Sequence, residues 1–345
     1  MPSTTAPAHS PRRLQVIFAF GLVYVLWGST YLAIRIAVEQ LTPLTMGGLR
    51  FIAAGLLMLG FRAAGGHRIG VGRRDLHPST PTAGALGARD LLRLALIGFL
   101  LLVSSNVVLG WGELYIPTSL AALLLAVIPL WFLILERLTH STDRLPARGL
   151  AGIALGVVGV AVLLWPDLTG LGHHSSGGFG GRQLFGAFLV LFASVSWAVG
   201  SILAKRWQMP IDPYAAAGWQ MLFGGAISGA LALLLGDAHR TEFAGAARSL
   251  WAIVYLIVAG SMVGFTAYVW LLKNVPIAKV ATYAYVNPIV AVLLGCVFHG
   301  ERLDGYMLAG SVVVIVSVIL VTGAKVRREA REERALEWQP IEPSG

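Results

Sequence analysis

The sequence has little charge and a single cysteine. Charged residues make up 12% of the 345 positions and hydrophobic residues 56%, whereas soluble domains usually carry about 25% charged residues. This composition excludes an ordinary soluble domain. Cys296 cannot form a disulfide within the chain, and we expect it to be a packing residue. No HExxH or GxSxG sequence occurs, and no histidine lies deep in an apolar run, which argues against an enzyme and against a bound metal or cofactor.

Ten long apolar runs dominate the sequence instead. A helix that crosses the bilayer needs about 20 apolar residues, because the hydrocarbon core is about 30 Å thick. The runs predict an all-α, polytopic membrane protein with ten transmembrane helices, flanked by a disordered tail at 1–13 and a basic tail at 324–345. The predicted spans, numbered one to ten, are 14–34, 44–62, 91–110, 115–135, 148–165, 184–204, 213–235, 250–271, 277–298 and 304–323.

The basic residues are unevenly distributed between the loops. If the N-terminus is cytoplasmic, 19 of the 26 lysine and arginine residues lie in cytoplasmic segments and five in external segments. Cytoplasmic loops of membrane proteins are generally enriched in these residues. The net charge of +9 therefore indicates orientation and not nucleic-acid binding. We expect a multi-pass protein of the bacterial cytoplasmic (inner) membrane, with both termini in the cytoplasm and the lipid bilayer around it.

The two halves of the sequence resemble each other. Tryptophans and prolines recur at an offset of 170 residues in the first two spans and of 159 residues in the third and fourth. Two five-span halves are therefore predicted at 14–166 and 184–323, joined by an external linker at 167–183. Because five is odd, the second half enters the membrane from the opposite side, which is the inverted repeat of many secondary transporters. The matching pairs are Trp27 with Trp197, Pro43 with Pro213, Trp111 with Trp270, Pro117 with Pro276 and Pro129 with Pro288.

Arg50 stands in a run of span two that is otherwise apolar or small. A charge inside the membrane is costly unless it faces water, a partner or a ligand. Arg50 lies about 9 Å below the outer helix end, at a depth similar to that of Glu113 in span three. One interpretation places it in an outer vestibule, paired with Glu113 and offering charge to a substrate carboxylate or phosphate. The alternative is that Arg50 extends to the outer headgroups.

Other polar and aromatic side chains also lie deep in the spans. Tyr283 and Asn287 are four residues apart in span nine and therefore share a helix face. Asn287 either lines a cavity or forms an interhelical hydrogen bond. Trp27 and Trp197 lie deeper than interfacial aromatic residues usually do, which predicts a cavity wall that stacks on substrate. The predicted substrate-binding or cavity residues are Trp27, Tyr31, Arg50, Asn106, Glu113, Trp197, Gln220, Tyr283 and Asn287.

Prolines predict breaks in the helices. Proline lacks a backbone N–H and leaves a carbonyl oxygen unbonded one turn earlier, and such breaks persist in spans where they line a cavity. Each break is either a gate or a static kink. Spans five and ten contain no deep charged or amide side chain, so we expect them outside the cavity, as candidates for a homodimer contact. The predicted gating or helix-break residues are Pro117, Pro129, Pro276 and Pro288.

Several motifs are shared with a known transporter family. They are Trp27-Gly28-Ser29, Leu49-Arg50-Phe51, the trio Asn106, Glu113 and Pro117, the block Tyr283-Ala-Tyr-Val-Asn287-Pro288, and Gly300-Glu301. On these motifs the sequence resembles the EamA family of the drug/metabolite transporter superfamily, and within it the YedA-type exporters, over about residues 14–323. The resemblance implies that the first four spans of each half surround a substrate site. For Glu301 we expect helix-end capping or a surface role.

Together these features predict a secondary transporter for a small-molecule substrate. We favour export of small organic metabolites or drugs, amino-acid-like or similar, by alternating access around a midplane cavity. Because alternating access is reversible, an importer or uniporter of a sugar or amino acid with the same fold is the alternative. An intramembrane enzyme is the remote alternative.

Overall fold

The structure is a computed structural model. It describes residues 13–64, 86–139, 147–169, 181–207, 209–241, 245–275, 280, 282–301 and 303–337. Four predicted features therefore lie wholly or largely outside the described residues: the N-terminal tail, most of the external linker, Pro276 and the end of the C-terminal tail.

Within the part of the chain that the structure describes, ten membrane helices occupy the ten predicted spans, and we number them α1 to α10. Eight are long and apolar enough to cross a membrane, and shorter apolar segments lie in the last two. The protein is thus an all-α, polytopic membrane protein. The bounds are α1 Arg13–Val38, α2 Pro43–Ala63, α3 Ala88–Glu113, α4 Thr118–Leu125 with Ile128–Thr139, α5 Ala147–Thr169, α6 Gly181–Arg206, α7 Pro213–Leu234, α8 Ala247–Tyr255 with Leu256–Val263 and Gly264–Asn274, α9 Tyr283–His299 and α10 Gly305–Glu337.

The second helices of the two halves, α2 and α7, pack closely and run in opposite directions. A Cβ atom added to Gly48 would lie 3.0 Å from the Cα atom of Gly229. A Cβ atom on Gly55, two turns further along α2, would lie 2.7 Å from the backbone nitrogen of Leu222, which comes earlier in α7. Small residues permit this approach of the two backbones, and the order of the contacts makes the helices antiparallel.

The fifth helices, α5 and α10, are also antiparallel partners. Gly152 at the start of α5 lies against Val321, whereas Leu163 near its end lies against Gly310. The remaining contacts are symmetric as well, because α1 packs on α9 as α6 packs on α4. Equivalent helices that run in opposite directions confirm the inverted five-helix repeats. The small-residue face of α5 is used within the chain, and the homodimer contact stays a prediction.

The third helix of each half contains a π-helical segment, Phe99–Val107 in α3 and Leu256–Val263 in α8. These segments overlap when the halves are aligned at the 159-residue offset. A π-helix takes more residues per turn than an α-helix and is frequent at functional sites. In α3 the side-chain amide nitrogen of Asn106 donates to the backbone carbonyl of Leu101, five residues earlier, at 2.9 Å. Because a π-helical turn holds more residues than an α-helical turn, the segment changes the direction in which the side chains after it point.

The first-half prolines lie at the start and in the middle of α4. The helix is interrupted at 126–127, directly before Pro129, where the sequence predicts a break. Pro117 has extended backbone geometry and immediately precedes Thr118. It therefore marks the start of α4 and does not break a helix.

The second-half proline Pro288 lies inside α9, which is continuous from Tyr283 to His299. The break predicted at this proline is not formed. Proline removes one backbone hydrogen bond, and a membrane helix can tolerate that loss when neighbouring helices hold it. In this half the chain instead turns at Thr282, before the helix begins. The two fourth helices therefore differ at their equivalent prolines, because the first is interrupted directly before Pro129 and the second is continuous through Pro288.

Candidate functional site

A cavity with a volume of about 130 Å³ lies between the two halves. Cavities of about 150 Å³ accept molecules of the size of benzene, so this cavity suits a small ligand. The described lining residues come from the first four helices of each half, and none comes from α5 or α10. This arrangement agrees with the expected positions of the ten helices.

Eight of the nine residues predicted to form the site line this cavity, and Glu113 does not. The residues that the sequence did not single out are small, aromatic or aliphatic neighbours of the predicted ones. Spacing along a helix would have found some of them, because Thr30 and Ile34 share a helix face with Trp27. The eight are Trp27, Tyr31, Arg50, Asn106, Trp197, Gln220, Tyr283 and Asn287, and the additional lining residues include Thr30, Ile34, Phe51, Ser105, Ser261 and Phe265.

Arg50 is buried, with 6% of its side chain exposed. Its Nε donates to the hydroxyl of Ser261 at 3.3 Å, and its Cζ lies 4.7 Å from the centre of the Phe51 ring. Nη1 has no hydrogen-bond partner among the described residues. A buried guanidinium that retains a free N–H group can bind a carboxylate or phosphate, which fit its planar set of donors.

Glu113 is fully buried at the end of α3. Neither of its carboxyl oxygens has a hydrogen-bond partner within the described chain, so the predicted pair with Arg50 is wrong. Among the described residues, the charged groups that act on Glu113 are Arg35 and Glu301. Similar depth in the membrane does not ensure that two side chains face each other, and the π-helical segment of α3 rotates the residues that follow it.

An aromatic cluster forms one wall of the cavity. The Trp27 ring lies 5.3 Å from the Tyr283 ring in an edge-to-face arrangement and 4.9 Å from the Tyr268 ring, measured between centres. Trp27 Nε1 also donates to the Gly260 carbonyl at 3.2 Å. These contacts hold the indole in a fixed orientation, and edge-to-face pairs are favourable beyond their buried area. The wall therefore offers a preformed aromatic surface to a ligand.

Asn287 lines the cavity and also joins two helices. Carbonyl oxygens lie beside the Asn287 side-chain amide and fix its orientation with the nitrogen toward them. In that orientation the nitrogen donates to the carbonyl oxygens of Tyr283 and Tyr24, each at 3.3 Å. The first of these carbonyls belongs to α9 and the second to α1. Both interpretations of Asn287, cavity wall and interhelical hydrogen bond, therefore hold.

Glu301 links the two halves at one end of the bundle. Its carboxylate accepts hydrogen bonds from the backbone N–H groups of Thr118 at 2.7 Å and Ser119 at 3.0 Å, and from the Ser119 hydroxyl. Pro117 occupies the N-cap position and has no side-chain acceptor, so Glu301 replaces the missing cap. The expected helix-end capping is present, although the capped helix α4 belongs to the other half.

The end of α9 is shaped to direct Glu301 toward α4. Gly300 has a φ of 67°, which favours glycine, and the Glu301 N–H donates to the Gly295 carbonyl at 3.1 Å. A Cβ atom on Gly295 would lie 2.6 Å from the Glu301 carboxylate, so only glycine leaves room for it. We call the end of the bundle that holds Glu113 and Glu301 the acid end.

A second link between the halves lies at the opposite end. The Nε of Arg62, in the last turn of α2, lies 2.6 Å from the Asp212 carboxylate. Asp212 also caps α7 by accepting a hydrogen bond from the Ala215 N–H at 2.9 Å. At each end of the bundle, therefore, a carboxylate caps a helix and joins the halves. Among the described residues there is no group of three or more metal-ligating side chains.

Comparison with known proteins gives matches along nearly the whole chain. The model of the EamA-like transporter family matches residues 14–165 and 184–323. The chain is 35% identical over 316 residues to the "Uncharacterized inner membrane transporter YedA" of Escherichia coli K12, covering 91% of this chain and 93% of the relative. It is 28% identical over 319 residues to a "Probable amino-acid metabolite efflux pump" of Salmonella typhimurium LT2, covering 90% and 96%. A solved structure that is 19% identical shares the fold, with a TM-score of 0.59 over 92% of this chain and 99% of that one.

Proposed function

The chain belongs to the EamA-like transporter family, and we propose that it exports small metabolites of the amino-acid type by alternating access. The observation that carries this proposal is the cavity between the inverted halves, in which Arg50 is the only charged side chain among the described lining residues. Substrate sites of inverted-repeat transporters lie at such a position. The names of the relatives, an inner membrane transporter and a probable amino-acid metabolite efflux pump, support the substrate class and the direction.

In this proposal Arg50 binds the carboxylate of the substrate. Its free Nη1 is the donor, and the hydroxyl of Ser261 holds the other side of the guanidinium. The rest of the substrate lies against Trp27 and Tyr283, whose π faces also attract an ammonium group. Because no carboxylate side chain occurs among the described lining residues, a zwitterion or an anion fits better than a cation.

Alternating access would require the two links between the halves to break in turn. Opening at the acid end separates Glu301 from the start of α4, and opening at the other end separates Arg62 from Asp212. The interruption of α4 before Pro129 adjoins the lining residues Leu125 and Ile128 and supplies a hinge. From the distribution of basic residues we infer that the acid end faces outward and that both termini are cytoplasmic.

Two alternatives use the same fold. An importer or uniporter of a sugar or amino acid would bind its substrate in the same cavity, and a sugar would gain little from Arg50, which favours the amino acid. An intramembrane enzyme needs a base or a metal site, and the described lining residues include no histidine, cysteine or carboxylate.

The proposal is tested with purified protein in proteoliposomes. Exchange of radiolabelled neutral L-amino acids across the vesicle membrane is measured for the wild type, for Arg50→Ala and for Gln220→Ala, which changes the equivalent residue of the second half. We expect exchange in the wild type and in Gln220→Ala and its loss in Arg50→Ala. Overproduction in cells should lower the content of the same amino acid. Exchange of sugars alone, or accumulation of the amino acid in overproducing cells, would contradict the proposal.

A further inference from the structure

Glu113 is a buried carboxyl group that the proposed substrate site does not use. It is fully buried, and neither oxygen accepts a hydrogen bond within the described chain. A carboxylate withdrawn from water is expensive unless it is paired and hydrogen-bonded. Ionisable groups in membrane spans are rare, and they often take part in ion or proton movement.

Three features of the surroundings oppose a negative charge on Glu113. No donor replaces the lost water on either oxygen among the described residues. The residue ends the last α-helical turn of α3, where the helix dipole is negative. The third feature is Glu301, whose charge acts on Glu113. Glu301 itself accepts three hydrogen bonds at the N-terminus of α4, so its carboxylate is already held by other groups.

One positive group opposes these effects. Arg35 in α1 acts on Glu113 through its charge but makes no hydrogen bond to either carboxyl oxygen. Tyr31, one turn before Arg35, also lies within electrostatic range of Glu113 and makes no hydrogen bond to it. In this conformation no described group donates to either oxygen of Glu113, so a bound proton would remove the cost of burying its charge.

Among the residues that the structure describes, the other elements packed against this turn bring no further charge to Glu113. The neighbouring turn of α6 holds Gly186 and Val190 against Gly112, and the α6 guanidinium at this end, that of Arg182, lies 5.6 Å from the centre of the Tyr115 ring. The first segment of α4, Thr118–Leu125, has no titratable residue. On α2, Arg50 is turned toward Ser261 and Phe51.

We propose that Glu113 is a proton-binding site and that its protonation closes the acid end of the transporter. With the acid end closed, Glu301 caps α4 and Glu113 carries the proton on its carboxyl oxygen. When the acid end opens, Glu301 leaves α4 and water reaches Glu113. The O–H bond of the carboxyl breaks, the proton passes to water as hydronium, and the carboxylate that remains pairs with Arg35. Closing reverses each step and takes one proton from the outer side. This inference goes beyond the export of a substrate and holds for any substrate.

The first experiment detects the proton directly and needs no substrate. Infrared difference spectra of the full-length protein in lipid nanodiscs are recorded at neutral pH for the wild type and Glu113→Gln. We expect the wild type to show the carbonyl stretch of a protonated carboxylic acid, and Glu113→Gln to lose that band. Glu39→Gln is the matched control, because Glu39 pairs with Arg248 at 3.5 Å on the same side of the protein. It should keep the band. Absence of the band from the wild type would overturn the proposal.

The second experiment tests whether the proton closes the acid end. Spin labels are attached at Leu114→Cys and Leu303→Cys in a Cys296→Ala background, and the distance between them is measured from about pH 5 to about pH 9, around the range in which perturbed carboxyls titrate. Leu114 and Leu303 are exposed. In the labelled protein that retains Glu113, a short distance between the labels, which corresponds to the closed acid end, should dominate at low pH. A longer distance, which corresponds to the open acid end, should appear as the pH rises.

Two variants at Glu113 make the result decisive. Glu113→Gln imitates the protonated form, so it should keep the short distance at every pH. Glu113→Asp retains a titratable group, so it should keep the pH response even if it is less stable. A pH response in Glu113→Gln equal to that of the parent would overturn the proposal. Because neither experiment measures transport, a failed export assay and a failed proton site give different results.

Discussion

The two halves place equivalent residues around one cavity, yet they give it different chemistry. Arg50 and Gln220 are equivalent at the 170-residue offset, and both line the cavity, but only one is charged. At the 159-residue offset the lining pairs are Asn106 with Phe265, Leu102 with Ser261, and Ile128 with Asn287. In each of these three pairs one half presents a polar side chain and the other an apolar one. The repeat therefore fixes where lining residues lie, and side-chain divergence gives the cavity a charged and an uncharged side.

The largest expected effect concerns the packing of α2 against α7, in which the two halves are symmetric. Gly55 and Gly225 are equivalent, and an added Cβ atom would lie 2.7 Å and 2.4 Å from a backbone nitrogen of the facing helix. Overpacking costs about 1–3 kcal/mol and occasionally more, and backbone atoms have little freedom to move away. We expect Gly55→Leu and Gly225→Leu to abolish or severely reduce the yield of folded protein, measured by fluorescence-detected size exclusion.

The control for these two substitutions is Gly60→Leu, which lies in the same helix α2 but has nothing within 4 Å of an added Cβ atom. It should leave the yield unchanged. If Gly55→Leu were harmful and Gly225→Leu harmless, the symmetric packing of α2 and α7 would be refuted.

A smaller effect is expected at the two carboxylates that cap helices across the halves. Loss of a helix cap costs about 0.5–2 kcal/mol. Glu301→Ala removes acceptors for three hydrogen bonds and Asp212→Ala removes one together with the Arg62 ion pair. Thermal unfolding in detergent should show that both variants are destabilised, with the larger decrease for Glu301→Ala. An unchanged midpoint for Glu301→Ala would show that its hydrogen bonds do not hold α4.

The smallest effect is expected at Ser261, which accepts a hydrogen bond from Arg50. The equivalent residue of the first half is Leu102, which has no hydroxyl. A hydrogen bond to a charged group contributes about 1.5–3 kcal/mol, and a long one less. At 3.3 Å, the bond from Arg50 lies at the long end. Ser261→Ala should raise KM for transport several-fold and leave the maximal rate unchanged. Ser201→Ala is the control, because that hydroxyl donates to the Trp197 carbonyl of its own helix. Equal KM changes in both variants would mean that Ser261 does not position Arg50.

The sequence was most informative where one-dimensional patterns decide the structure. Apolar length predicted the ten spans, and the Trp27–Trp197 match predicted the inverted halves. Depth along the helices also predicted most cavity residues, since a polar group far from both ends has few places to lie except between helices. Arg50 is buried in the cavity wall for this reason.

The direction of a side chain around its helix was less predictable. Glu113 was expected beside Arg50, but the π-helical segment of α3 rotates the end of that helix, and no simple spacing rule marks such a segment. Pro288 was expected to break α9, yet the helix continues, because the effect of a proline depends on the helices packed against it. The role of Glu301 as the cap of a distant helix follows only from tertiary contacts.

The most direct test of the account measures whether Arg50 recognises the substrate carboxylate. Binding of L-leucine and of 3-methylbutylamine, which lacks only the carboxylate, is measured for the wild type, Arg50→Gln and Gln220→Ala. Loss of one partner of a buried charge pair costs about 2–5 kcal/mol, which corresponds to about thirty-fold or more in affinity. We expect the wild type and Gln220→Ala to prefer L-leucine by at least this factor and Arg50→Gln to lose the preference. An undiminished preference in Arg50→Gln would contradict the account.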